Sequence, residues 1–214
     1  MGLSLRRHLG AAERCGDSVM ASPHVEVFNK DSYVSSANSG TNYGTDEYFS
    51  VGYDNTGGKD VNQLVAFAYV DFSELTDLTV ESQVTAAICE MYCSEKTNSL
   101  TARWSRNTSD WIESGAGSIT WNAKPGQSTP TSDTITPTVI AWNTWNILDQ
   151  IKDAVTSRGK IWDASCWALT WTANVENHVS FPSREYTTDT SLRPKITITY
   201  TVSGVTFTAK IMMF

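Results

Sequence analysis

From Val25 onward, the chain alternates short apolar, β-branched runs with clusters of Gly, Asn, Asp and Ser. Runs in which every second residue is apolar predict strands with one buried face, and the polar clusters predict the turns between them. This spacing is typical of an all-β sandwich. The predicted strands are Val25–Phe28, Tyr48–Tyr53, Gln63–Asp71, Thr85–Met91, Leu100–Trp104, Ser165–Thr172, Lys195–Val202 and Val205–Met212.

One segment has a helical rather than a strand pattern. Ile147, Ile151 and Val155 recur at every fourth position, and Gly159 follows as a helix stop. We therefore predict one short helix over about residues 145–157, lying across an open end of the sandwich.

The two ends of the chain differ from its middle. Residues 1–24 have mixed composition, which predicts an N-terminal arm that contacts an assembly, with the sandwich domain at 25–214. The C-terminus is an apolar run, and an exposed apolar edge needs a covering partner. The candidate assembly contacts are Leu3, Leu5, Arg6, Arg7, Ile211, Met212, Met213 and Phe214.

Composition narrows the class of protein. The chain has 214 residues, 40% of them hydrophobic and only 18% charged, so one domain can bury a sizeable core beneath a polar but mostly uncharged surface. Such surfaces suit extracellular or particle-surface proteins. The net charge of −7 argues against a nucleic-acid partner.

No segment of the sequence has the about 18 consecutive apolar residues that membrane insertion requires. The N-terminal region also lacks the apolar stretch of a Sec signal peptide, because His8, Glu13, Arg14 and Asp17 interrupt it. The sequence therefore predicts neither membrane insertion nor classical secretion.

The four cysteines, Cys15, Cys89, Cys93 and Cys166, are too few for a disulfide scaffold. Cys89 and Cys93 fall four residues apart on one face of a predicted strand, too far for an easy bridge. We predict buried free thiols, with a bridge or a metal site as the alternative.

Enzyme signatures are absent from the sequence. His8, His24 and His178 stand alone, without the spacing of a metal motif, and there is no nucleophile elbow. A carboxylate pair for glycoside hydrolysis would be a three-dimensional feature that no motif singles out. We predict that the protein is not an enzyme.

No cofactor is predicted, although loop carboxylates are compatible with a structural calcium ion. No Asp-x-Asp-x-Asp-Gly pattern assigns ligands among them. The carboxylates in suitable loops are Asp46, Asp54, Asp60 and Asp189.

A series of short motifs keeps a fixed order along the middle of the chain. They are Asp31-Ser32-Tyr33-Val34, Asn42-Tyr43-Gly44, Asp71-Phe72-Ser73-Glu74-Leu75, Trp111-Ile112-Glu113, Ile119-Thr120-Trp121-Asn122, Phe181-Pro182-Ser183-Arg184-Glu185 and Arg193-Pro194-Lys195-Ile196. Over about residues 27–202 they resemble the disaggregatase-related (DNRLRE) family of β-sandwich modules. The resemblance implies a jelly-roll-like antiparallel β-sandwich, and carbohydrate binding for those members counted among carbohydrate-binding modules.

The motif residues have two interpretations. Trp111, Glu113 and Trp121 could form a sugar platform with a polar clamp, or the indoles could fill the core while Glu113 satisfies buried donors. We favour the structural interpretation, in which Glu185 also pairs with Arg193 or Arg184. The predicted fold-pinning residues are Trp111, Glu113, Trp121, Pro125, Arg184, Glu185, Arg193 and Pro194.

Three tryptophans, Trp104, Trp142 and Trp162, lie outside the shared motifs and are the candidate ligand or partner contacts. Two functional hypotheses follow. The first is a non-catalytic structural or adhesive subunit of a homo- or hetero-oligomeric surface assembly, such as a virion decoration, filament or appendage protein. The alternative is a carbohydrate-binding module that recognises a surface or extracellular polysaccharide.

Overall fold

The computed structural model describes residues 19–55, 62–169 and 175–203. The elements, in chain order, are β1 (Val19–Val27), β2 (Lys30–Ser35), β3 (Tyr48–Asp54), β4 (Asn62–Asp71), a 3-10 turn (Glu81–Gln83), β5 (Val84–Cys93), β6 (Glu95–Thr97), β7 (Ala102–Asn107), a 3-10 turn (Trp121–Ala123), β8 (Gln127–Thr131), β9 (Ala141–Asn146), α1 (Leu148–Ser157), β10 (Ile161–Ala168), β11 (Asn177–Pro182), a 3-10 turn (Thr190–Leu192) and β12 (Lys195–Ser203).

Two antiparallel sheets form the layers of a sandwich. The smaller sheet has the order β1-β12-β5-β9. The larger sheet has the order β6-β11-β3-β4-β10-β7-β8, and β2 pairs with β4. The predicted all-β sandwich is therefore confirmed.

The main core lies between the two sheets because alternate residues of each strand face inward. In β5, Cys89 and Met91 are buried while Glu90 between them is partly exposed. The core is rich in aromatic rings, and Trp104 and Trp162 meet edge to face with ring centroids 5.1 Å apart.

A second apolar cluster covers the outer face of the larger sheet. Val65 and Phe67 of β4 point outward, yet both are fully buried. The long loop between β7 and β8 lies over them and contributes Trp111 and Ile119 to the same cluster. Strand β4 of the larger sheet is thus buried on both faces.

Helix α1 begins at Leu148, three residues after the start predicted from the sequence, because Trp145 belongs to β9 and points into the core. The helix ends at Ser157, as predicted, and Gly159 then adopts a left-handed φ of 61°. Within the described residues, no helix has the length and apolar character needed to cross a bilayer.

The described cysteines, Cys89, Cys93 and Cys166, are free and buried, which confirms the prediction for them. Burial raises the pKa of the Cys93 thiol to about 11, so at neutral pH it packs as a protonated, apolar group. Cys15 lies outside the described residues.

Several boundaries differ from the sequence prediction. Strand β1 starts at Val19 rather than Val25, so residues 19–24 are part of the smaller sheet, paired with β12, and not of an arm. The predicted strand Val205–Met212 and the candidate contacts at both chain ends lie outside the described residues. The strands that the sequence list missed are β2, β6, β8, β9 and β11.

We predict that Trp162→Ala lowers the free energy of unfolding by about 3–5 kcal/mol, because removing the buried indole leaves a cavity in the main core. Urea denaturation measures the change. The matched control is Trp142→Ala, which removes a ring that is 36% exposed. Its cost stays within about 1 kcal/mol, and equal losses in the two variants would contradict the assignment of the core.

Candidate functional site

The motif residues come together at an anchor formed by Asp31, Glu113, Arg184 and Glu185. The Arg184 guanidinium bridges two carboxylates, with Nε 3.0 Å from Glu113 Oε1 and 2.7 Å from Glu185 Oε1. The Asp31 N–H donates to Glu113 Oε1 at 2.7 Å, and the Arg184 N–H donates to Asp31 Oδ2 at 2.8 Å. The anchor therefore ties the β7–β8 loop to β2 and to the segment after β11.

Burial dominates the electrostatics of the anchor. It raises the pKa of Asp31 well above the ordinary range, although the hydrogen bond from the Arg184 N–H opposes the shift. Burial likewise raises the pKa of Glu113, against the hydrogen bond from the Asp31 N–H and the charge of Arg184. Keeping the Asp31 and Glu113 carboxylates charged in the anchor therefore costs electrostatic free energy.

A second polar contact fixes the same loop from the other side. The Trp111 Nε1–H donates to Asp163 Oδ1 at 3.0 Å, and the Asn107 amide donates to the same oxygen at 2.5 Å. Asp163 is buried in β10, and Arg158 approaches its other oxygen to 3.6 Å. Trp111 is thus held by its indole nitrogen against the sheet and is not an exposed platform.

The Asn42-Tyr43-Gly44 motif packs against the loop backbone. Asn42 Nδ2 donates to the carbonyl oxygens of Glu113 and Ile119, at 2.8 and 2.9 Å. A Cβ on Gly44 would lie 2.0 Å from the Glu113 carbonyl oxygen, so only glycine allows this approach. Motifs that lie far apart in the sequence thus meet in one place.

The remaining motif residues lie near the same region. Trp121 is partly buried in the outer cluster, with Lys124 Nζ 3.6 Å from its ring centroid. Arg193 donates from Nε to the Tyr186 carbonyl oxygen at 2.9 Å, so Glu185 pairs with Arg184 and not with Arg193. Pro125 and Pro194 are buried.

A cleft of about 510 Å³ borders the anchor. Arg184 and Arg193 both line it, which makes it a candidate for an anionic ligand. Arg184 is already engaged by two carboxylates and by the Asn29 carbonyl oxygen. The cleft is therefore a weaker candidate than a surface whose binding groups are turned outward.

Such a surface exists on the outer face of the smaller sheet, which we call the open face. Trp142 of β9 is exposed, and Tyr92 of β5 lies opposite it, with ring centroids 5.9 Å apart. Lys195 Nζ lies 4.5 Å from the centroid of the Trp142 ring. The two rings meet edge to face, with their planes 72° apart, so the Trp142 ring, the tyrosine edge and a cation are presented together.

The rest of the open face follows from strand register. Lys195 pairs with Glu90, which pairs with Thr144, so these three side chains form a row across the sheet. The Lys195 ammonium lies 3.9 Å from Glu90 Oε2, so the pair leaves no net charge. The other outward side chains include Pro23, Val25, Val27, Ala86, Ile88, Asn146, Thr197 and Thr199.

The structure corrects two of the three predicted contact tryptophans. Trp104 and Trp162 are 0% and 2% exposed, so neither ring is available to a ligand, and the prediction is wrong for them. Both lie on inward positions of β7 and β10, between the sheets. Trp142 is exposed, as a contact residue must be, while Tyr92 was not singled out by the sequence.

Each of the described loop carboxylates compatible with calcium contacts other protein groups. Asp189 accepts hydrogen bonds from the Ser191 backbone and hydroxyl, and so fixes a turn. Burial raises the pKa of Asp46, although a hydrogen bond from the Tyr33 side chain opposes the shift. Asp54 lies at the end of β3, near His178, and Asp60 lies outside the described residues.

The sandwich and its open face define a class: a β-sandwich that presents aromatic rings and hydroxyls on one sheet, as sugar-binding jelly rolls do. The model of carbohydrate-binding module family 96 matches residues 26–200, and the chain belongs to that family. No curated protein matches the sequence. The predicted likeness to carbohydrate-binding modules is confirmed, whereas the narrower disaggregatase-related resemblance stays a prediction.

We predict that Asp31→Asn changes how stability depends on pH. The pKa of Asp31 is raised in the folded state, so between its unfolded and folded values the folded protein binds more protons than the unfolded chain. The wild type therefore loses stability as pH rises from about 4. The stability of the Asp31→Asn variant relative to the wild type rises over the same range. Urea denaturation at a series of pH values measures the difference.

The matched control is Asp189→Asn. Hydrogen bonds from Ser191 lower the pKa of Asp189, so the wild type gains stability over this variant as pH rises. As pH rises, the stability of each variant relative to the wild type must change in opposite directions for the two substitutions. A relative stability of Asp31→Asn that does not change with pH would contradict a buried carboxylate with a raised pKa.

Proposed function

We propose that this protein is a non-catalytic module that binds a surface or extracellular polysaccharide across the open face. The observation that carries the proposal is Trp142, an exposed indole beside Tyr92 on a sheet whose other outward residues are mostly hydroxyl-bearing or aliphatic. Flat rings pack against the C–H face of a sugar, while hydroxyl and amide groups bond its hydroxyls. Family membership supports the same function.

Lys195 lies on this surface but does not prevent a sugar ring from packing there. Its ammonium lies over the Trp142 ring, but the lysine stem is flexible and an exposed cation–π contact is worth only about 0.5–1 kcal/mol. A sugar ring can therefore displace it, and the ammonium can then donate to a sugar hydroxyl.

The charge pattern favours a neutral polysaccharide. Lys195 and Glu90 offset each other on the open face, and the chain carries a net charge of −7 that repels polyanions. An anionic glycan would instead suit the cleft lined by Arg184 and Arg193.

We also propose that the motif residues pin the fold and do not touch the ligand. Glu113, Arg184 and Glu185 are engaged with one another, and Trp111 bonds Asp163.

The comparisons favour carbohydrate binding over the surface-assembly hypothesis. A polysaccharide ligand supports an extracellular or surface location. A virion or filament role rests on residues near the two chain ends, outside the described part of the chain. It stays a prediction.

We predict that Trp142→Ala lowers polysaccharide affinity at least tenfold and that Tyr92→Ala lowers it severalfold, because each removes ring area from the sugar-packing surface. Affinity electrophoresis or calorimetry against a panel of neutral and anionic polysaccharides measures the effect.

Two variants serve as controls for the panel. Tyr48→Ala removes a ring that is 39% exposed on the larger sheet, and it leaves affinity unchanged. Arg193→Ala alters the cleft by the anchor. If Arg193→Ala abolishes binding while Trp142→Ala has no effect, the ligand lies in the cleft and the proposal fails.

A further inference from the structure

Two carboxylates face each other at the end of the β3–β11 pair. The register pairs Tyr53 with Asn177, so the next step along the ladder places Asp54 opposite Glu176. Like charges directly opposite each other on adjacent strands are destabilising. A cation between them would remove this repulsion.

A histidine lies on the same face. His178 is two residues beyond Glu176, and its Nδ1 is 3.3 Å from Glu176 Oε1. One ligand atom from each of Asp54, Glu176 and His178 can be chosen so that all three lie within 4.8 Å of one another. All three side chains are partly exposed, whereas the His178 Nδ1 atom is buried and makes no hydrogen bond within the described part of the chain.

The backbone of β3 approaches the backbone of His178 closely beside this group. Residue 52, opposite His178, is a glycine with φ of 134°, and a Cβ there would lie 2.6 Å from His178 Cα. The Glu176 carbonyl oxygen accepts a hydrogen bond from Asn98 Nδ2 at 2.7 Å, and this contact fixes the backbone of Glu176.

A buried amide orients Asp54. Asn62 is 4% exposed, and its Oδ1 accepts from the Ser35 hydroxyl at 2.7 Å and from the Ala37 N–H at 3.0 Å. Those bonds turn Nδ2 toward Asp54, at 3.5 Å from Oδ2. Residues that orient metal ligands through hydrogen bonds in this way are typical of metal sites.

Room for completing waters lies beside the group. A polar cleft of about 160 Å³ is lined by Asp54 and His178, together with Asn62 and Ser50. A metal ion with three protein ligands needs at least one further ligand, and water in such a cleft supplies it.

We propose that Asp54, Glu176 and His178 bind one divalent transition-metal ion, with Zn²⁺ as the representative. An imidazole nitrogen with carboxylate oxygens suits Zn²⁺, whereas Ca²⁺ and Mg²⁺ prefer oxygen ligands alone. The site lies on the larger sheet, away from the open face, and therefore adds to the proposed sugar-binding function without depending on it.

The chain contains a natural control. His24 also lies near two carboxylates, Glu26 and Glu74, but Glu74 is exposed and lies in the turn after β4. His24 already contacts Glu26, with Nε2 2.5 Å from Oε1. His24→Gln thus removes a partly exposed imidazole without touching the proposed site.

The experiment is a Zn²⁺ titration of the full chain by calorimetry, repeated with Ca²⁺, together with thermal unfolding. We expect one Zn²⁺ per chain, at least tenfold weaker Ca²⁺ binding and a Tm that rises with Zn²⁺. Both His178→Gln and Asp54→Asn lose the affinity at least tenfold and lose the Tm response, while His24→Gln keeps both.

Absence of stoichiometric Zn²⁺ binding to the wild type would overturn the proposal. Unchanged binding in both site variants, or loss of binding in His24→Gln, would also overturn it. Circular dichroism of each variant without metal confirms that it folds.

Discussion

The contact of Arg184 with Glu113 and Glu185 is the interaction on which the arrangement of this molecule depends. It holds the β7–β8 loop over the outer face of the larger sheet, where Trp111 then bonds Asp163. The Arg184 side chain is 40% exposed, so solvent screens both ion pairs and each contributes little net stability. The anchor therefore fixes where the loop lies rather than adding much net stability.

This placement decides which surface is free to bind. Strand β4 of the larger sheet carries core on one side and the loop cluster on the other, so it is buried on both faces. Other strands of that sheet keep exposed outward positions, such as Tyr48 of β3. Among the described residues, the outer face of the smaller sheet is open, and its outward side chains are polar, aliphatic or aromatic, with Trp142 among them. The loop cluster thus covers the middle of the larger sheet and leaves the smaller sheet open on one side.

The sequence predicts the layer architecture, because alternation in β5 and β12 gives one buried face and the apolar run of β4 gives a strand buried on both. Glu113, Arg184 and Glu185 all belong to the predicted fold-pinning set and lie in contact with one another, and their pinning role stays a proposal. The sequence does not predict which tryptophan is exposed. Alternation assigns Trp104 and Trp142 each to one face of a strand, but only the register with neighbouring strands decides whether that face points inward. The strands β2 and β9 were missed because Lys30–Ser35 and Ala141–Asn146 contain few β-branched residues.

The central claim is that the open face, and not the arginine-lined cleft, receives the ligand. The most direct measurement is a ¹⁵N spectrum of the tryptophan indole groups, of which the chain has eight, recorded as a polysaccharide fragment is added. The account predicts that the Trp142 indole signal shifts progressively while those of Trp104, Trp111 and Trp162 stay in place. Binding of the fragment with the Trp142 signal unchanged would contradict it.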